Sequence, residues 1–179
     1  AGDALTTGAE NTALGYQAMT NANSTESRNV AIGAYALQGL DNGSTTNTYN
    51  VAVGYSAGIL VSTGVNNTLI GSHAGDALTT GTNNVAIGYE ALSSQQTDGQ
   101  NVAIGVGALQ NQNVSGHGNN TAIGLHAGND ITTGTGNTIL GCSAGDALTE
   151  GDNNIIIGLN AAASAVGVNN EITLGDGNI

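Results

Sequence analysis

The chain has few residues of the types that are common in catalytic or metal sites. Its histidines are His73, His117 and His126, and its one cysteine, Cys142, excludes an intrachain disulfide. His73 and His126 follow a recurring glycine by two residues, in repeat units three apart, so about 14 Å separates them. One chain cannot bring both to one metal ion, although three copies of a histidine could form a ring around an axis. We therefore favour exposed polar positions for the histidines and a packed, small hydrophobic residue for Cys142.

Aspartates recur in the turn sequence AGDALT and raise the question of calcium. They are Asp3, Asp76 and Asp146. Calcium takes about six to eight oxygen ligands, and the GGxGxD nonapeptide of calcium-binding β-rolls is absent. A turn-forming role is favoured, so we predict no metal and no cofactor, and a calcium-binding β-roll is kept as an alternative.

Threonine pairs and glutamates offer two further kinds of chemistry. Thr6–Thr7, Thr79–Thr80 and Thr132–Thr133 could form a flat ice-binding array, but fewer than half of the repeat units carry such a pair. Glycoside cleavage would require two carboxylates about 5 to 9.5 Å apart, and the glutamates never pair within one repeat unit. We predict that the chain is not an enzyme, and ice binding stays a minor alternative.

Charge narrows the classes of partner. Thirteen acidic residues and one basic residue, Arg28, give a net charge of −12. Such a polyanion does not bind nucleic acid through its phosphates, and anionic membranes repel it. No apolar segment approaches the roughly 20 residues that span a bilayer. We expect neither nucleic-acid binding nor membrane insertion.

A short phrase organises the whole chain: Asn, a small or β-branched residue, usually Ala, an aliphatic residue and Gly. It occurs ten times, closing at Gly15, Gly33, Gly54, Gly71, Gly88, Gly105, Gly124, Gly141, Gly158 and Gly175, with Glu171 in place of the last Asn. The interval is 17 residues with short insertions, which is typical of a solenoid. We predict one all-β solenoid over residues 1–179, of about ten 17-residue rungs, as a segment of a longer chain. Residues 159–179 are predicted to form a terminal, capping rung.

Alternation within the phrase predicts a short strand with two different faces. The position before each glycine is always aliphatic and is predicted to be the core: Ile32, Val53, Ile70, Ile87, Ile104, Ile123, Leu140 and Ile157. The position before it is usually Ala, which predicts close approach of a neighbour on the second face. Ordering a rung costs roughly 17 to 34 kcal/mol of backbone entropy, more than its few large side chains return. We therefore expect further copies of the chain to pack against the alanines.

The asparagine that opens each phrase is predicted to have a structural role. Stacked in register, identical amides can hydrogen-bond along the axis as a ladder. Asparagine also tolerates the left-handed backbone conformation, so a turn role can act together with the ladder. The predicted ladder residues are Asn29, Asn50, Asn67, Asn84, Asn101, Asn120, Asn137 and Asn154. Glu171 is predicted to end it.

The rungs are of two kinds, and the second kind carries the inserted residues. One kind continues with Ala-Gly and a turn, as in AGDALTTG at Ala74, and the other with Ala-Leu or Ala-Met, as at Ala91. Insertions concentrate where nothing packs, so we expect Ser24–Arg28, Leu40–Tyr49 and Asn111–Gly118 to protrude. The candidate receptor-contact residues in them are Arg28, Asp41, Tyr49, Asn111 and His117.

The recurring NxAIGxxA phrase and the closing ITLGDGNI resemble a known family. They are similar to the head repeats of YadA-like trimeric autotransporter adhesins and to bacteriophage tail-fibre shafts with the same repeat. The resemblance implies a left-handed parallel β-roll assembled as a homotrimeric fibre, extracellular, on a cell surface or a virion. It implies a structural and adhesive role, with a host-surface glycan or protein as receptor.

Two alternatives to this prediction remain. The alternative fold is a single-chain triangular β-helix, since three hexapeptides have nearly the length of one rung. The alternative function is a lectin-like rod that binds glycans without assembling into a fibre.

Overall fold

A computed structural model describes residues 1–3, 8–22, 26–41, 47–97 and 99–176. It contains ten strands of three residues, one in each repeat unit. They are β1 (Thr12–Leu14), β2 (Val30–Ile32), β3 (Val51–Val53), β4 (Thr68–Ile70), β5 (Val85–Ile87), β6 (Val102–Ile104), β7 (Thr121–Ile123), β8 (Thr138–Leu140), β9 (Ile155–Ile157) and β10 (Ile172–Leu174). The strands pair in chain order in a single parallel sheet. Ten strands joined by nine connections form an all-β solenoid of about nine turns, which confirms the predicted fold class.

The pairing register places equivalent residues of successive rungs above one another. In β5 and β6, for example, Val85 pairs with Val102, Ala86 with Ala103 and Ile87 with Ile104. Each rung adds one strand to the same sheet, so the described part of the chain lacks the three sheets of a triangular β-helix. Every position of the repeat therefore becomes a continuous column along the axis.

The interior contains the middle residue of each strand, and the predicted core position is wrong. From β2 to β9 the middle residue is buried, as in Ala31, Leu69 and Ala86. The aliphatic residues before the glycines lie on the other face. The predicted core residues Ile32, Val53, Ile87, Ile104 and Ile157 are half-buried, and Ile70, Ile123 and Leu140 are exposed. The alanines thus face their own rung, so their small size is no argument for a second copy.

Alanine fits inside because the opposite wall supplies the large side chains. In rungs of the second kind, Ala86 and Ala103 share the interior with the fully buried Leu92 and Leu109. In rungs of the first kind, the position of those leucines is glycine and the middle strand residue can be large. A Cβ on Gly75 would lie 2.7 Å from Leu69 Cδ2. The two kinds of rung therefore fill one interior volume from opposite walls.

The glycine that closes each strand is required by the next rung. At Gly88 φ is +136°, and a Cβ there would collide with the carbonyl oxygen of Gly105. The same contact recurs from Gly15 to Gly141, each glycine meeting the closing glycine of the following rung. A column of glycines therefore permits the close axial stacking.

The asparagine ladder is present, with one correction to its chemistry. Each ladder Oδ1 accepts a hydrogen bond from the backbone N–H of the next ladder residue; Asn84 N–H, for instance, donates to Asn67 Oδ1 at 3.0 Å. This bond occurs at all nine steps from Asn11 to Glu171 and spans 2.7 to 3.1 Å. Amide-to-amide bonds such as Asn84 Nδ2 to Asn67 Oδ1, 3.2 Å, accompany it at some steps. The main partner of each side chain is thus backbone rather than another amide.

The left-handed turn residue is not the ladder asparagine but the residue before it. That residue has positive φ in all ten rungs: Glu10, Arg28, Tyr49, Asn66, Asn83, Gln100, Asn119, Gly136, Asn153 and Asn170. No ladder asparagine among Asn29 to Asn154 has a positive φ. The ladder and the turn therefore belong to adjacent residues with separate tasks.

Candidate interaction surfaces

The described residues enclose no pocket, so any partner must bind to an outer surface. The largest uniform surface is the outer face of the sheet, formed by the first and third residues of β1 to β10. These twenty positions hold only Val, Ile, Leu and Thr. Exposed members include Leu14 at 65%, Leu140 at 45% and Leu174 at 64%. An uncharged apolar face runs the full length of an otherwise strongly acidic rod.

A row of aromatic rings follows the outer face around the glycine turn. Tyr16, Tyr35, Tyr55, His73 and Tyr89 lie on five successive rungs, and we call them the tyrosine row. Neighbouring rings meet edge to face with centroids 5.4, 5.7, 5.4 and 6.1 Å apart. Such pairs favour this geometry because the positive ring edge meets the negative ring face. Our sequence reasoning missed the row, although aromatic residues at intervals of 16 to 20 residues were its signal.

The structure brings two predicted receptor-contact residues together at a corner. Arg28 Nη1 donates to the Tyr49 hydroxyl at 2.7 Å, with the guanidinium carbon 5.6 Å from the ring centroid. Arg28 Nε donates to Glu10 at 2.7 Å. Glu10 raises the pKa of Arg28, and Tyr49 acts in the same direction. The three side chains are exposed and lie on three successive rungs.

The other predicted receptor-contact residues do not join this corner. Asn111 Nδ2 donates to Asn129 Oδ1 at 3.3 Å, and His117 forms an isolated parallel bridge with Gly99. Asp41 is exposed beside residues 42–46, which lie outside the described part of the chain. Residues 24 and 25 of the predicted Ser24–Arg28 loop also lie outside it.

The candidate metal residues are separated in the structure. No group of three His, Cys, Asp or Glu side chains in the described ranges could hold a metal ion. Burial raises the pKa of Asp76, while the nearby His73 acts in the opposite direction. Burial also raises the pKa of Asp146, with Asp130 acting in the same direction.

The threonine pairs serve the backbone. Thr79 Oγ1 donates to the Gln96 carbonyl at 2.9 Å, and Thr132 Oγ1 donates to the Thr149 carbonyl at 3.2 Å. These hydroxyls link successive rungs instead of presenting their donors to a ligand. The third pair, Thr6–Thr7, lies outside the described residues.

Glu171 ends the ladder by binding the last connection. Its backbone N–H donates to Asn154 Oδ1 at 2.9 Å, while its carboxylate accepts from the Ser164 hydroxyl, the Ser164 N–H and the Thr173 hydroxyl. These bonds, chiefly the one from the Ser164 hydroxyl, lower the pKa of Glu171. Where the other rungs place an amide, the final rung uses a carboxylate to hold its own loop.

Comparison with protein-family models, with curated proteins and with solved structures found no match in any of the three. The resemblance to adhesin heads and fibre shafts therefore rests on the repeated phrase alone. Separately, no helix in the described ranges has the length and apolar character needed to cross a membrane.

Proposed function

We propose that the chain is a structural and adhesive segment of an extracellular fibre, in which three copies pack side by side. The role is mechanical rather than catalytic: the solenoid gives reach, and its surface gives attachment to a host, from a cell surface or a virion. The resemblance to trimeric adhesin heads and tail-fibre shafts supports the copy number of three and the left-handed coil.

The outer face of the sheet is the observation that carries this proposal. It is apolar and uncharged along all ten strands, over roughly 45 Å. Contiguous exposed apolar surface of this length marks an interaction site in a soluble protein. Another copy of the rod is the natural partner, because it repeats at the same axial interval and matches the face rung by rung. The copies thus meet through Val, Ile and Leu rather than through alanine and glycine.

Sedimentation equilibrium tests the assembly directly. We expect a mass near three times 17.5 kDa for the 179-residue chain. Ile104→Lys places a charge in the centre of the outer face and should shift the protein to smaller species while its circular dichroism stays that of a β-solenoid. Gln96→Lys, which adds the same charge at an exposed position away from this face, is the matched control. A wild-type species of 17.5 kDa at micromolar concentration would contradict the proposal.

A further inference from the structure

The tyrosine row combines exposed aromatic surface with polar groups alongside it. Tyr16 is 65% exposed, Tyr55 51% and Tyr89 48%. Tyr89 also hydrogen-bonds the Glu90 carboxylate, which raises the pKa of its hydroxyl.

Side-chain amides flank the rings. Gln38 Nε2 donates to Gln17 Oε1 at 2.9 Å, and Gln110 Nε2 donates to Glu90 at 2.6 Å. The row therefore offers apolar ring surface next to hydrogen-bonding groups of both kinds.

Packing between copies does not account for the aromatic residues. In the rungs that follow, the position of Tyr16, Tyr55 and Tyr89 is taken by aliphatic side chains such as Val106 and Leu125. These also extend the apolar surface next to the outer face, and they would suffice for contact with another chain. Tyrosine differs from them by its flat π face and its hydroxyl. The first five rungs therefore carry chemistry that the later rungs lack.

We propose that the tyrosine row binds a linear, uncharged polysaccharide of equatorially linked pyranose units, lying along the axis of the rod. The C–H groups on one side of such a sugar carry partial positive charge and contact the negative face of an aromatic ring. The sugar hydroxyls take hydrogen bonds from the flanking amides and tyrosine hydroxyls. Anionic glycans are excluded, because the chain carries a net charge of −12 and its one arginine is already paired with Glu10.

Axial spacing supports a linear ligand. Tyr16, Tyr55 and Tyr89 occupy the same position on alternate rungs, so neighbours in this set lie about 10 Å apart along the axis. In an extended chain of equatorially linked pyranoses, alternate sugars present the same face, and a pair of sugars covers a comparable length. The three tyrosines can thus contact every second sugar of one chain. This inference gives a ligand class to the attachment role proposed above, and in that sense rests on it.

Isothermal titration calorimetry with the 179-residue chain tests the site. The probes are cellohexaose and N-acetylchitohexaose, which are equatorially linked, and maltohexaose, whose axial linkages make it the control. We expect binding of at least one equatorially linked probe and none of maltohexaose. Tyr55→Ala and Tyr89→Ala should each weaken binding about tenfold, a factor that corresponds to about 1.4 kcal/mol. Tyr55→Phe should keep most of the affinity, and Leu125→Ala, at the equivalent position of a later rung, should keep all of it.

Three results would overturn the inference: no binding of either equatorially linked probe, equal binding by the alanine variants, or loss of trimer mass in Tyr55→Ala and Tyr89→Ala. The last would assign the row to contact between copies. Sedimentation of the same samples separates the two proposals. A trimer that binds no probe removes only the glycan site, whereas a monomer that binds through the row removes only the trimeric fibre.

Discussion

At the scale of the residue, adjacent asparagines have different tasks in this fold. Asn84 is buried and accepts the backbone N–H of Asn101 at 3.1 Å, whereas Asn83 is exposed and takes φ of +60°. The first task needs an acceptor and a donor on a short side chain, because the buried N–H of the next rung must be satisfied. The second needs tolerance of the left-handed region. Identical residue types are thus retained for unrelated physical reasons.

The pair Asn84→Asp and Asn83→Asp separates these tasks with one isosteric change. Asn84→Asp buries a carboxylate and loses the donor to Asn67 Oδ1, so the free energy of unfolding should fall by about 3 kcal/mol. Asn83→Asp keeps a residue that accepts positive φ at an exposed site and should change it by less than about 0.5 kcal/mol. Urea unfolding followed by circular dichroism measures both. Equal losses in the two variants would contradict a ladder-specific role.

At the scale of the element, each rung is a constant volume filled in one of two ways. A large strand residue such as Leu69 requires glycine at Gly75, and a small one such as Ala86 leaves room for Leu92. Packing density is fixed inside a narrow solenoid, so a change on one wall must be answered on the other. This exchange gives the two kinds of rung a physical basis.

A double-mutant cycle tests the exchange. Leu69→Ala should lower the free energy of unfolding by about 3 kcal/mol through the cavity it leaves. Gly75→Leu alone should also destabilise, because its Cβ would meet Leu69. The double variant should recover part of both losses, since leucine is accepted at the equivalent Leu92, whose φ is +56°. Strictly additive losses would show that the two walls are independent.

The final rung should depend on pH through Glu171. Its pKa is lowered in the folded state, so the carboxylate stabilises the rung above the unfolded pKa of about 4.3 and this stability is lost as pH falls through the lower folded value. Hydrogen exchange by mass spectrometry should show loss of protection in the segment from Ser164 to Thr173 over that interval. Glu171→Gln should lack this protection at pH 7.

Glu150→Gln, at an exposed acid in the preceding connection, serves as the control and should exchange like the wild type. Protection that is unchanged both in acid and in Glu171→Gln would count against the proposed role of the carboxylate.

At the scale of the whole molecule, the rod is a sum of neighbouring rungs. The strands contact only the next strand on each side, and the hydrogen bonds of the ladder link successive rungs. Stability in such an array is approximately a sum of rung and interface contributions. Complete rungs are therefore exchangeable units, whereas partial ones are not.

Deletion of residues 68–84 removes one whole rung and should leave a shorter, cooperatively folded solenoid. It joins Asn67 to Val85 and so places a rung of the first kind before one of the second kind, as already occurs at Gly71 and Gly88. Deletion of residues 68–83 differs by one residue and moves every later side chain to the opposite face. Thermal unfolding by circular dichroism should be cooperative for the first and lost or broadened for the second. Similar transitions for both would contradict a register-dependent stack.

The sequence by itself determined the period, the positions of the strands, the solenoid and the residues of the ladder. Each of these depends on spacing along the chain, and a 17-residue interval with an invariant glycine permits only stacked rungs in register. Alternation also shows that each strand has two faces. It does not show which face is inside, and the larger side chains at Ile70 and Ile87 pointed to the wrong one.

Only the tertiary structure decided the inside face, because the interior is shared by two walls that are distant in the repeat. Leu92 and Leu109 fill it from across the rung, so alanine fits opposite them and the isoleucines lie outside. The tyrosine row was decided in the same way, since its rings alternate between two positions of the repeat and meet only when the rungs stack. Volume and contact across the coil are properties of three dimensions, and no single repeat unit contains them.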